Sequence, residues 1–301
     1  MADLTCDIAI VGGGAAGLWL LDLLSKRGYE VLLCEQEALG NAQSMASQGM
    51  IHGGIKYALG AALTGASEAI SRMPERWRAC LAGTGEVDLS AVKVVSREYH
   101  MWSNGALGKL GSFFASRALR GRVDALQTTD YPEVFQHPSF NGTVHRLNDL
   151  VLDVTSLLDT LSLAHQHRLI KSKVTATHFN ENADLERLEL ATGQTLSANQ
   201  FIFAAGAGNT KFSQALRDAG HSHAPATQLR PLHQAFVEHP DLTELYAHCL
   251  TGIRSAEPRL TITTHPLTNS TKIGWYIGGH LSTSGVKRST AAQIEVTRNE
   301  L

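Results

Sequence analysis

Apolar and polar positions follow two different periods in the first part of the chain. An uninterrupted apolar run at 8–11 (IAIV) predicts a strand that is buried on both faces of a parallel sheet. Leucines at helical spacing between 18 and 24 then predict a helix that ends near Gly28. A second strand is predicted at 30–34, where four apolar residues follow Glu30. This strand–helix–strand order predicts an α/β protein whose sheet begins with parallel strands.

The pattern predicts further elements downstream. A helix is expected at 155–168, and a short strand at 169–174 follows it. An apolar strand at 201–205 runs into a glycine-containing turn, as the first strand does. The remaining periodic segments predict strands at 91–103, 227–238, 260–265 and 272–280 and helices at 106–119 and 290–301.

The last predicted helix opens with Thr290-Ala291-Ala292-Gln293, which has the spacing of a capping box. The helical pattern continues to Leu301, where the chain stops without a C-cap signal. A helix that begins clearly and has no C-cap indicates a chain that is cut short.

Composition narrows the class of protein. A chain of 301 residues is long enough for one or two domains with a sizeable core. The formal net charge of −2 and the lack of a long basic run argue against nucleic acid as a partner. The sequence has no secretory signal and no apolar window of the ~20 residues that span a bilayer. The four cysteines are widely spaced without a CxxC pair, which favours reduced thiols in a cytoplasmic protein over disulfides or a metal site.

Glycines separate the first predicted strand from the first predicted helix. Gly12, Gly14 and Gly17 have the spacing G-x-G-x-x-G between these two elements. The first glycine permits a tight turn, the second lets a pyrophosphate approach the backbone, and the third lets the helix pack closely on the strand. The helix N-terminus at Ala15 and Ala16 then offers N–H groups and the positive end of its dipole to the phosphates. The motif therefore predicts a dinucleotide site.

An acidic residue completes this pattern. Glu35 follows the second strand, ~20 residues beyond the glycines, where the fingerprint needs an acceptor for ribose hydroxyls. A carboxylate at this position disfavours a 2′-phosphate, so a plain adenosine ribose is expected. These residues do not separate NAD from FAD, because both cofactors carry ADP on the same unit.

The segment at 41–60 decides between the two dinucleotides. Its many small residues let the backbone pass beside a large flat ligand, where a nicotinamide dehydrogenase usually enters another helix. The run from Ser47 to Tyr57 (SQGMIHGGIKY) resembles the S-x-x-x-IHGG-[IL]-x-Y run of the D-amino-acid oxidase and glycerol-3-phosphate dehydrogenase superfamily of FAD proteins. In that superfamily it is the members that oxidise glycerol-3-phosphate or 2-hydroxyglutarate that carry this run. The turn at 201–208 (FIFAAGAG) resembles the superfamily's AAG turn.

The resemblance implies a Rossmann-like FAD-binding domain with a discontinuous α+β substrate domain. We expect the FAD-binding domain at 1–85 and 145–222, the substrate domain at 86–144 and 223–288, and the start of a C-terminal helix at 289–301. In the superfamily, the glycine-rich loop runs beside the pyrophosphate and the isoalloxazine ring, and a residue at the position of Val174 contacts adenine through its backbone. The residues expected to bind FAD are therefore Gly12, Gly14, Ala15, Ala16, Gly17, Glu35, Gln36, Ser44, Ser47, Gln48, Gly49, Val174, Ala205 and Gly206.

Flavin chemistry on a carbon next to an OH or NH group needs a base and, for an acidic substrate, a cation. His52 is the leading candidate for the base, because histidine titrates near neutral pH and this one lies in the flavin loop. The alternative is a histidine that only packs on the flavin. Lys56 is expected to stabilise the reduced ring, or else to be a solvated side chain. His233 is a further catalytic candidate, on a strand that is expected to face the substrate.

Substrate binding is expected from Tyr57, Arg230, Arg254 and His280, although each of these types also occurs as a surface residue. The sequence has no Ser-His-Asp order and no HExxH or Walker pattern. Hydrolysis and phosphoryl transfer are therefore excluded as the expected reaction.

The expected function is transfer of a hydride to FAD from a small 2-hydroxy acid, polyol phosphate or amino acid. After His280 nothing matches the superfamily's C-terminal flavin-binding segment, so the alternative is a catalytically silent or truncated flavin-fold protein that acts as a binding or assembly partner. An NAD-dependent dehydrogenase is disfavoured by the IHGG loop.

The expected partner is a small-molecule substrate, without nucleic acid or metal. The segment Phe113-Phe114 is followed by arginines, a pattern that also suits a peripheral contact with a membrane or a quinone. An amphipathic helix that covers the substrate sheet is the favoured interpretation of that segment.

Overall fold

The structure is a computed structural model that describes residues 3–53, 70, 72–103, 123–250, 257–267, 270 and 272–301. The chain packs into two compact units, each assembled from three segments. The first unit comprises Met1–Ser47, Ala79–Lys93 and Val154–Leu229. The second comprises Gln48–Arg78, Val94–Asp153 and Arg230–Leu301.

The described elements are numbered here in chain order. The strands are β1 Leu4–Val11, β2 Val31–Glu35, β3 Met50–Ile51, β4 Val94–Ser96, β5 Tyr99–Ser103, β6 Val123–Ala125, β7 Thr143–Leu147, β8 Leu150–Leu152, β9 Leu169–Lys171, β10 Val174–Phe179, β11 Leu185–Leu190, β12 Thr195–Phe203, β13 Ala235–Glu238, β14 Ala247–Leu250, β15 Leu260–Pro266 and β16 Ile273–Gly278. The α-helices are α1 Ala15–Lys26, α2 Met73–Leu81, α3 Val154–Leu163, α4 Asn209–Asp218, α5 His280–Ser284 and α6 Thr290–Glu300.

The first unit is built on a six-stranded sheet with the order β10-β11-β12-β1-β2-β9. Strands β12, β1, β2 and β9 run parallel, whereas β10, β11 and β12 pair antiparallel. All four residues of the 8–11 run are buried in β1, as expected for a central parallel strand. The predicted α/β class is therefore confirmed for this unit.

Helices α1 and α3 pack against each other in the first unit. Leu18 and Leu21 of α1 are fully buried, and their spacing is the helical one that the sequence shows. The two helices are also joined by a buried polar pair, because His165 beyond α3 lies 3.0 Å from the Asp22 carboxylate. The helix that follows the glycine-rich turn is thus packed against α3.

The second unit contains a seven-stranded sheet with the order β13-β16-β15-β14-β5-β7-β6 and a three-stranded sheet with the order β3-β8-β4. In the larger sheet all neighbours are antiparallel except β14 and β5, which are parallel. In the smaller sheet both pairs are antiparallel.

The two faces of the seven-stranded sheet differ. Ala247 and Cys249 of β14 lie in one hydrophobic cluster, together with alternate residues of β15 and β16. Tyr246 and Leu250 point to the other face, where a smaller cluster forms around Tyr99. Because side chains alternate along a strand, His248 lies on this second face.

The structure corrects several predicted boundaries. The strand predicted at 227–238 is reduced to β13, because Pro231 has no N–H to donate to a sheet. The strand predicted at 169–174 is two strands, since the chain leaves β9 after Lys171 and enters β10 at Val174. The strand predicted at 91–103 is likewise divided into β4 and β5.

The predicted capping box is also corrected. Ser289 is the N-cap of α6, and its side chain accepts a hydrogen bond from the Ala292 N–H. Thr290 is therefore the first helical residue. Gln293 lies too deep in the helix to complete a capping box, and instead it donates to the carbonyl oxygens of His233 and Leu281.

The segment boundaries of the two units differ from those of the predicted domains. Segments 48–78 and 145–153 belong to the second unit, because β3 pairs with β8 and β8 pairs with β4. Segment 86–93 belongs to the first unit, where the Leu89 N–H donates to the Cys80 carbonyl oxygen. The helix expected at 106–119, with Phe113-Phe114, lies outside the described residues.

In the part of the chain that the structure describes, no helix combines the length and apolar character needed to cross a bilayer.

Candidate active site

The glycine-rich turn packs without room for side chains. Gly12 has a φ of +113°, and a Cβ there would lie 2.8 Å from the Ala205 Cα. A Cβ at Gly17 would overlap the carbonyl oxygen of Gly12. These two glycines are therefore required by the turn itself, as the strand–turn–helix motif predicts.

The N-terminus of α1 lies beside Ser44. The Ala15 N–H donates to the Ser44 hydroxyl at 3.0 Å, and a Cβ at Gly14 would meet the same oxygen at 3.0 Å. Ala16, in the first turn of the helix, is exposed. The residues at the positive end of the helix dipole are thus a glycine and two alanines. Their small side chains leave space for an anionic group.

Glu35 closes the other side of the turn at the end of β2. Its carboxylate accepts hydrogen bonds from the N–H groups of Gly13, at 2.6 Å, and Glu37, at 3.0 Å. A carboxylate has about four acceptor positions, so others remain for hydroxyl groups. Gln36 is exposed next to it.

The turn after β12 lies against the glycine-rich turn. The Ala204 N–H donates to the Val11 carbonyl oxygen at 2.8 Å, which ties the two strand ends together. Asn209 closes the turn by accepting from the Ala205 N–H and donating to the Phe203 carbonyl oxygen. Gly206, with a φ of +56°, faces the side-chain oxygen of Gln43. The structure therefore brings together the two glycine turns that the sequence singled out.

A buried hydroxyl without a partner lies just before β10. Ser172 is buried, and its Oγ has no hydrogen-bond partner among the described residues. Val174 follows it as the first residue of β10. The bare turn, the open helix end, the acid after β2 and this unpartnered polar atom together fit the adenosine diphosphate half of a dinucleotide.

The loop residues expected to contact flavin have different environments. Within the first unit, the Ser47 hydroxyl donates to the Ser44 carbonyl oxygen. Within the second unit, Gly49 has a φ of +64° and its carbonyl oxygen accepts from the Leu152 N–H. The amide of Gln48 donates to three acceptors of the large sheet, which are Thr261 O, Thr263 Oγ1 and Tyr276 O.

A cluster of three ionisable side chains lies in the second unit. One donor atom each from His52, Asp149 and His248 lies within 4.8 Å of the other two. The antiparallel register of β3 with β8 explains why His52 and Asp149 are close. Ile51 pairs with Leu150, so His52, which follows Ile51, lies opposite Asp149, which precedes Leu150. His52 Nδ1 lies 3.6 Å from Asp149 Oδ2. We call these three residues the His–Asp–His cluster.

Surrounding residues fix the orientation of this cluster. His248 and Thr261 are direct partners in the β14–β15 ladder, and the Nδ1 of His248 lies 2.9 Å from the Thr261 hydroxyl. The rings of His52 and His248 are nearly parallel, with centroids 5.8 Å apart. Tyr99 packs against His248 with ring centroids 4.7 Å apart. Burial, and secondarily the charge of Asp149, raise the pKa of Tyr99 well above its usual value, so that its phenol stays neutral.

The structure does not bring His233 into the cluster. It lies before β13, and its Nδ1 is 3.0 Å from the Gly285 carbonyl oxygen. His280 is the exposed first residue of α5, where it contacts the Glu257 carboxylate. Arg230 is exposed in the irregular segment before β13. Lys56, Tyr57 and Arg254 lie outside the described residues.

Asp149 and His248 were missed by the sequence reasoning. Asp149 lies in the short turn between β7 and β8, a position where acidic residues also occur in ordinary turns. His248 is one of 14 histidines and lies on a strand that the pattern did not predict. The donor types of the cluster also occur at metal sites, and the expectation of no metal stays a prediction.

The fold and the glycine-rich turn define a dinucleotide-binding α/β oxidoreductase with a second, largely antiparallel unit. Residues 7–275 match the FAD dependent oxidoreductase family, DAO. The chain therefore belongs to this family, and FAD is its cofactor, as the resemblance implies.

Known proteins agree with this assignment. The chain is 45% identical over 301 residues to the probable FAD-dependent oxidoreductase PA4991 of Pseudomonas aeruginosa, and the match covers 99% of this chain and 74% of that protein. The crystal structure of PA4991 superposes with a TM-score of 0.79 at 37% identity, over 100% of this chain and 73% of the other.

Two further matches are partial or distant. A glycerol-3-phosphate dehydrogenase of P. aeruginosa is 45% identical over 51 residues, which are 17% of this chain and 10% of that enzyme. The FAD-bound L-α-glycerophosphate oxidase of Mycoplasma pneumoniae matches with a TM-score of 0.64 at 14% identity, over 98% of this chain and 78% of the other. At that identity the likeness is one of fold.

Proposed function

We propose that this FAD-dependent oxidoreductase oxidises the C–OH group of a small anionic alcohol, with His52 as the base. The observation that carries the proposal is the His–Asp–His cluster, in which a partly exposed His52 lies 3.6 Å from a buried carboxylate. Histidine accepts protons near neutral pH, and a neighbouring carboxylate stabilises the charge that it gains.

The proton balance of the reaction explains why a base matters. Conversion of an alcohol to a ketone removes one hydride and one proton, and bound FAD supplies the chemistry that accepts the hydride. The hydroxyl proton must then pass to a group of the protein, and His52 is proposed to accept it. The C–H and O–H bonds break, and the C=O bond of the product forms.

The base also distinguishes between the expected substrate classes. An ammonium group can lose its extra proton to water before the hydride leaves, so oxidation of an amine does not need a histidine to take a proton during hydride transfer. An alcohol is a much weaker acid, and its proton must be removed as the hydride leaves. A histidine with a carboxylate partner therefore favours a 2-hydroxy acid or a polyol phosphate over an amino acid.

A polyol phosphate is the first substrate class to test. The relative that matches over 51 residues is named as a glycerol-3-phosphate dehydrogenase. The anionic end of such a substrate needs cations, for which Arg230 and Arg254 remain the proposed residues, with Tyr57 and His280 as further substrate contacts. Lys56 remains proposed to stabilise the reduced flavin ring. His233 stays a weaker catalytic candidate, since its ring nitrogen is engaged by a backbone carbonyl.

FAD binding is proposed to use the turns of the first unit. The backbone at Gly12, Gly14 and Gly17 and the N–H groups of Ala15 and Ala16 would face the pyrophosphate, and Glu35 would accept from the ribose. The other residues proposed to contact FAD are Gln36, Ser44, Ser47, Gly49, Val174, Ala205 and Gly206. Gln48 is the weakest member of the predicted set, since its amide N–H groups already donate to three acceptors.

Anaerobic bleaching of the bound flavin tests the function. The purified holoprotein, treated with EDTA, is mixed with sn-glycerol 3-phosphate, with 2-hydroxy acids and with amino acids, and flavin reduction is followed by absorbance. We expect an alcohol substrate to reduce the flavin and amino acids to leave it oxidised. Reduction by amino acids alone contradicts the proposal. Reduction by none of them supports the alternative of a catalytically silent flavin-fold protein.

Two histidine variants test the base. His52→Ala should slow flavin reduction by about 10²–10⁴-fold while FAD stays bound, because general-base catalysis contributes on that scale. Added imidazole should restore part of the rate. His137→Ala is the matched control, since this histidine is exposed and its ring hydrogen-bonds to the neighbouring Ser139. Equal rates in His52→Ala and His137→Ala would remove His52 from the mechanism.

A further inference from the structure

The Asp149 carboxylate is buried and held in one orientation. Its side chain is only 3% exposed, although a charged group normally stays in water. Oδ1 accepts a 2.6 Å hydrogen bond from the Gly53 N–H. A Cβ at position 53 would meet the same oxygen at 2.9 Å, so a glycine is needed for this approach. The carboxylate is therefore locked to the backbone next to His52.

The second carboxylate oxygen faces the ring of His52. Oδ2 lies 3.6 Å from Nδ1, which is longer than a direct hydrogen bond but within the distance of an ion pair. One carboxylate thus binds the peptide N–H of residue 53 with one oxygen and approaches the side chain of residue 52 with the other. Among the described residues, the ion-pairing partner of Asp149 is His52.

Within the described part of the chain, further groups that face His52 come from the large sheet. His248 stacks beside it and is held by the Thr261 hydroxyl. Tyr99 packs behind His248, and its hydroxyl donates to backbone carbonyl oxygens of Ala247 and Ile262. In this group Asp149 is the one side chain that carries a negative charge, so it is the one suited to balance a protonated His52.

We propose that Asp149 is the positioning residue of the base: it fixes the ring of His52 and stabilises the imidazolium that forms when His52 accepts the substrate proton. The inference rests on the proposed function of His52. Asp149 does not itself take the proton or touch the substrate. Its role is that of the carboxylate that orients a catalytic histidine in other enzyme classes. Here the β3–β8 register places the carboxylate next to the histidine.

Asp149→Asn tests this role, with Asp22→Asn as the matched control. The asparagine keeps the shape and an acceptor for the Gly53 N–H but removes the charge. Asp22 is also a buried aspartate next to a histidine, His165, but it lies in the first unit. The measurements are the limiting rate of flavin reduction, the substrate concentration at half saturation, the solvent isotope effect and the FAD content.

We expect Asp149→Asn to lower the limiting rate at least about tenfold and to raise the solvent isotope effect, since proton transfer becomes harder. Half saturation and FAD content should stay within about twofold of the parent. Asp22→Asn should keep the parent rate. In a background of His52→Ala, Asp149→Asn should cause no further loss, because the carboxylate acts through that histidine.

Several outcomes would overturn the inference. A folded, FAD-loaded Asp149→Asn with the parent rate contradicts it, and so does a further tenfold loss in the double variant. If His52→Ala keeps the parent rate, the proposed function fails, and this result is distinct from the other two. If Asp149→Asn does not fold, ¹⁵N-histidine NMR of the parent holoprotein decides, because the proposal requires the neutral His52 ring to carry its proton on Nδ1.

Discussion

The carbonyl oxygen of Gly12 occupies the position that a side chain at Gly17 would need. One glycine closes the turn after β1, and the other lets the first turn of α1 approach it. The pair fixes the distance between the strand end and the helix N-terminus, which is where a dinucleotide phosphate binds.

Gly17→Ala should therefore damage FAD binding. The added methyl group overlaps a backbone atom, so the turn must open and the helix end must move. We expect at least about a tenfold weaker affinity for FAD, which corresponds to ~1.4 kcal/mol. The measurement is fluorescence titration of the apoprotein with FAD.

Gly193→Asn provides the control for this variant. Gly193 lies in the same unit with a φ of +81° and has nothing within 4 Å of an added Cβ. Asparagine tolerates positive φ better than other side chains do, so little change is expected. Parent-like FAD affinity in Gly17→Ala would mean that the turn does not hold the pyrophosphate.

Gln48→Ala should lower stability more than it lowers FAD affinity. The variant leaves the acceptors Thr261 O and Tyr276 O without a donor that the parent provides. The expected loss is about 1–3 kcal/mol in the free energy of unfolding, measured by urea denaturation. Gln200→Ala, at an exposed position of β12, is the control. Loss of FAD with unchanged stability would instead support the flavin contact predicted from the sequence.

Acid should destabilise the protein through its buried histidines. Burial lowers the pKa of His100, His145 and His265 below their usual value of 6.5. As the pH falls below 6.5, the unfolded chain binds protons that the native state does not, so the free energy of unfolding decreases. Stability should therefore be highest above this value and should decline as the pH falls below it.

A variant separates the effect of the histidines from that of Asp and Glu side chains, which also titrate in acid. His145→Gln should lose less stability than the parent between pH 7.5 and pH 5.5, because it removes one of the three histidines whose pKa is lowered by burial. His137→Gln, at an exposed position, should follow the parent. Identical pH dependence in the parent and His145→Gln would contradict the explanation.

The native thiols should react slowly. All four cysteines are free, and burial raises the pKa of Cys34 to about 12 and that of Cys249 to about 11. Since the thiolate is the reactive form, neither residue should be modified by DTNB within minutes at pH 8. In urea all four thiols should react. Rapid modification of Cys34 in the folded protein, mapped by mass spectrometry, would be inconsistent with this burial.

Local patterns were enough for the nucleotide-binding half. The run at 8–11, the glycines after it and Glu35 lie within a few tens of residues. The glycines meet a backbone requirement that few other residues meet. The structure has the strand, the turn and the helix in that order. These features depend on short-range geometry, which a single sequence displays directly.

Local patterns were less reliable in the substrate half. The alternating segment at 227–238 forms only a short edge strand, because Pro231 lacks the N–H that the ladder needs. Gln293 has capping-box spacing, yet it is drawn into a buried contact with the backbone of His233. Pro231 is visible in the sequence, whereas the contact of Gln293 depends on a partner that is distant in the chain.

By itself, the sequence determined the α/β class, the dinucleotide turn and the family resemblance, because spacing along the chain carries that information. Only the tertiary structure decided which side chains surround His52. Asp149 comes from the register of one strand pair and His248 from another sheet, and neither register follows from local propensity. Strand pairing depends on which distant apolar faces are buried together, and only the folded chain brings those faces into contact.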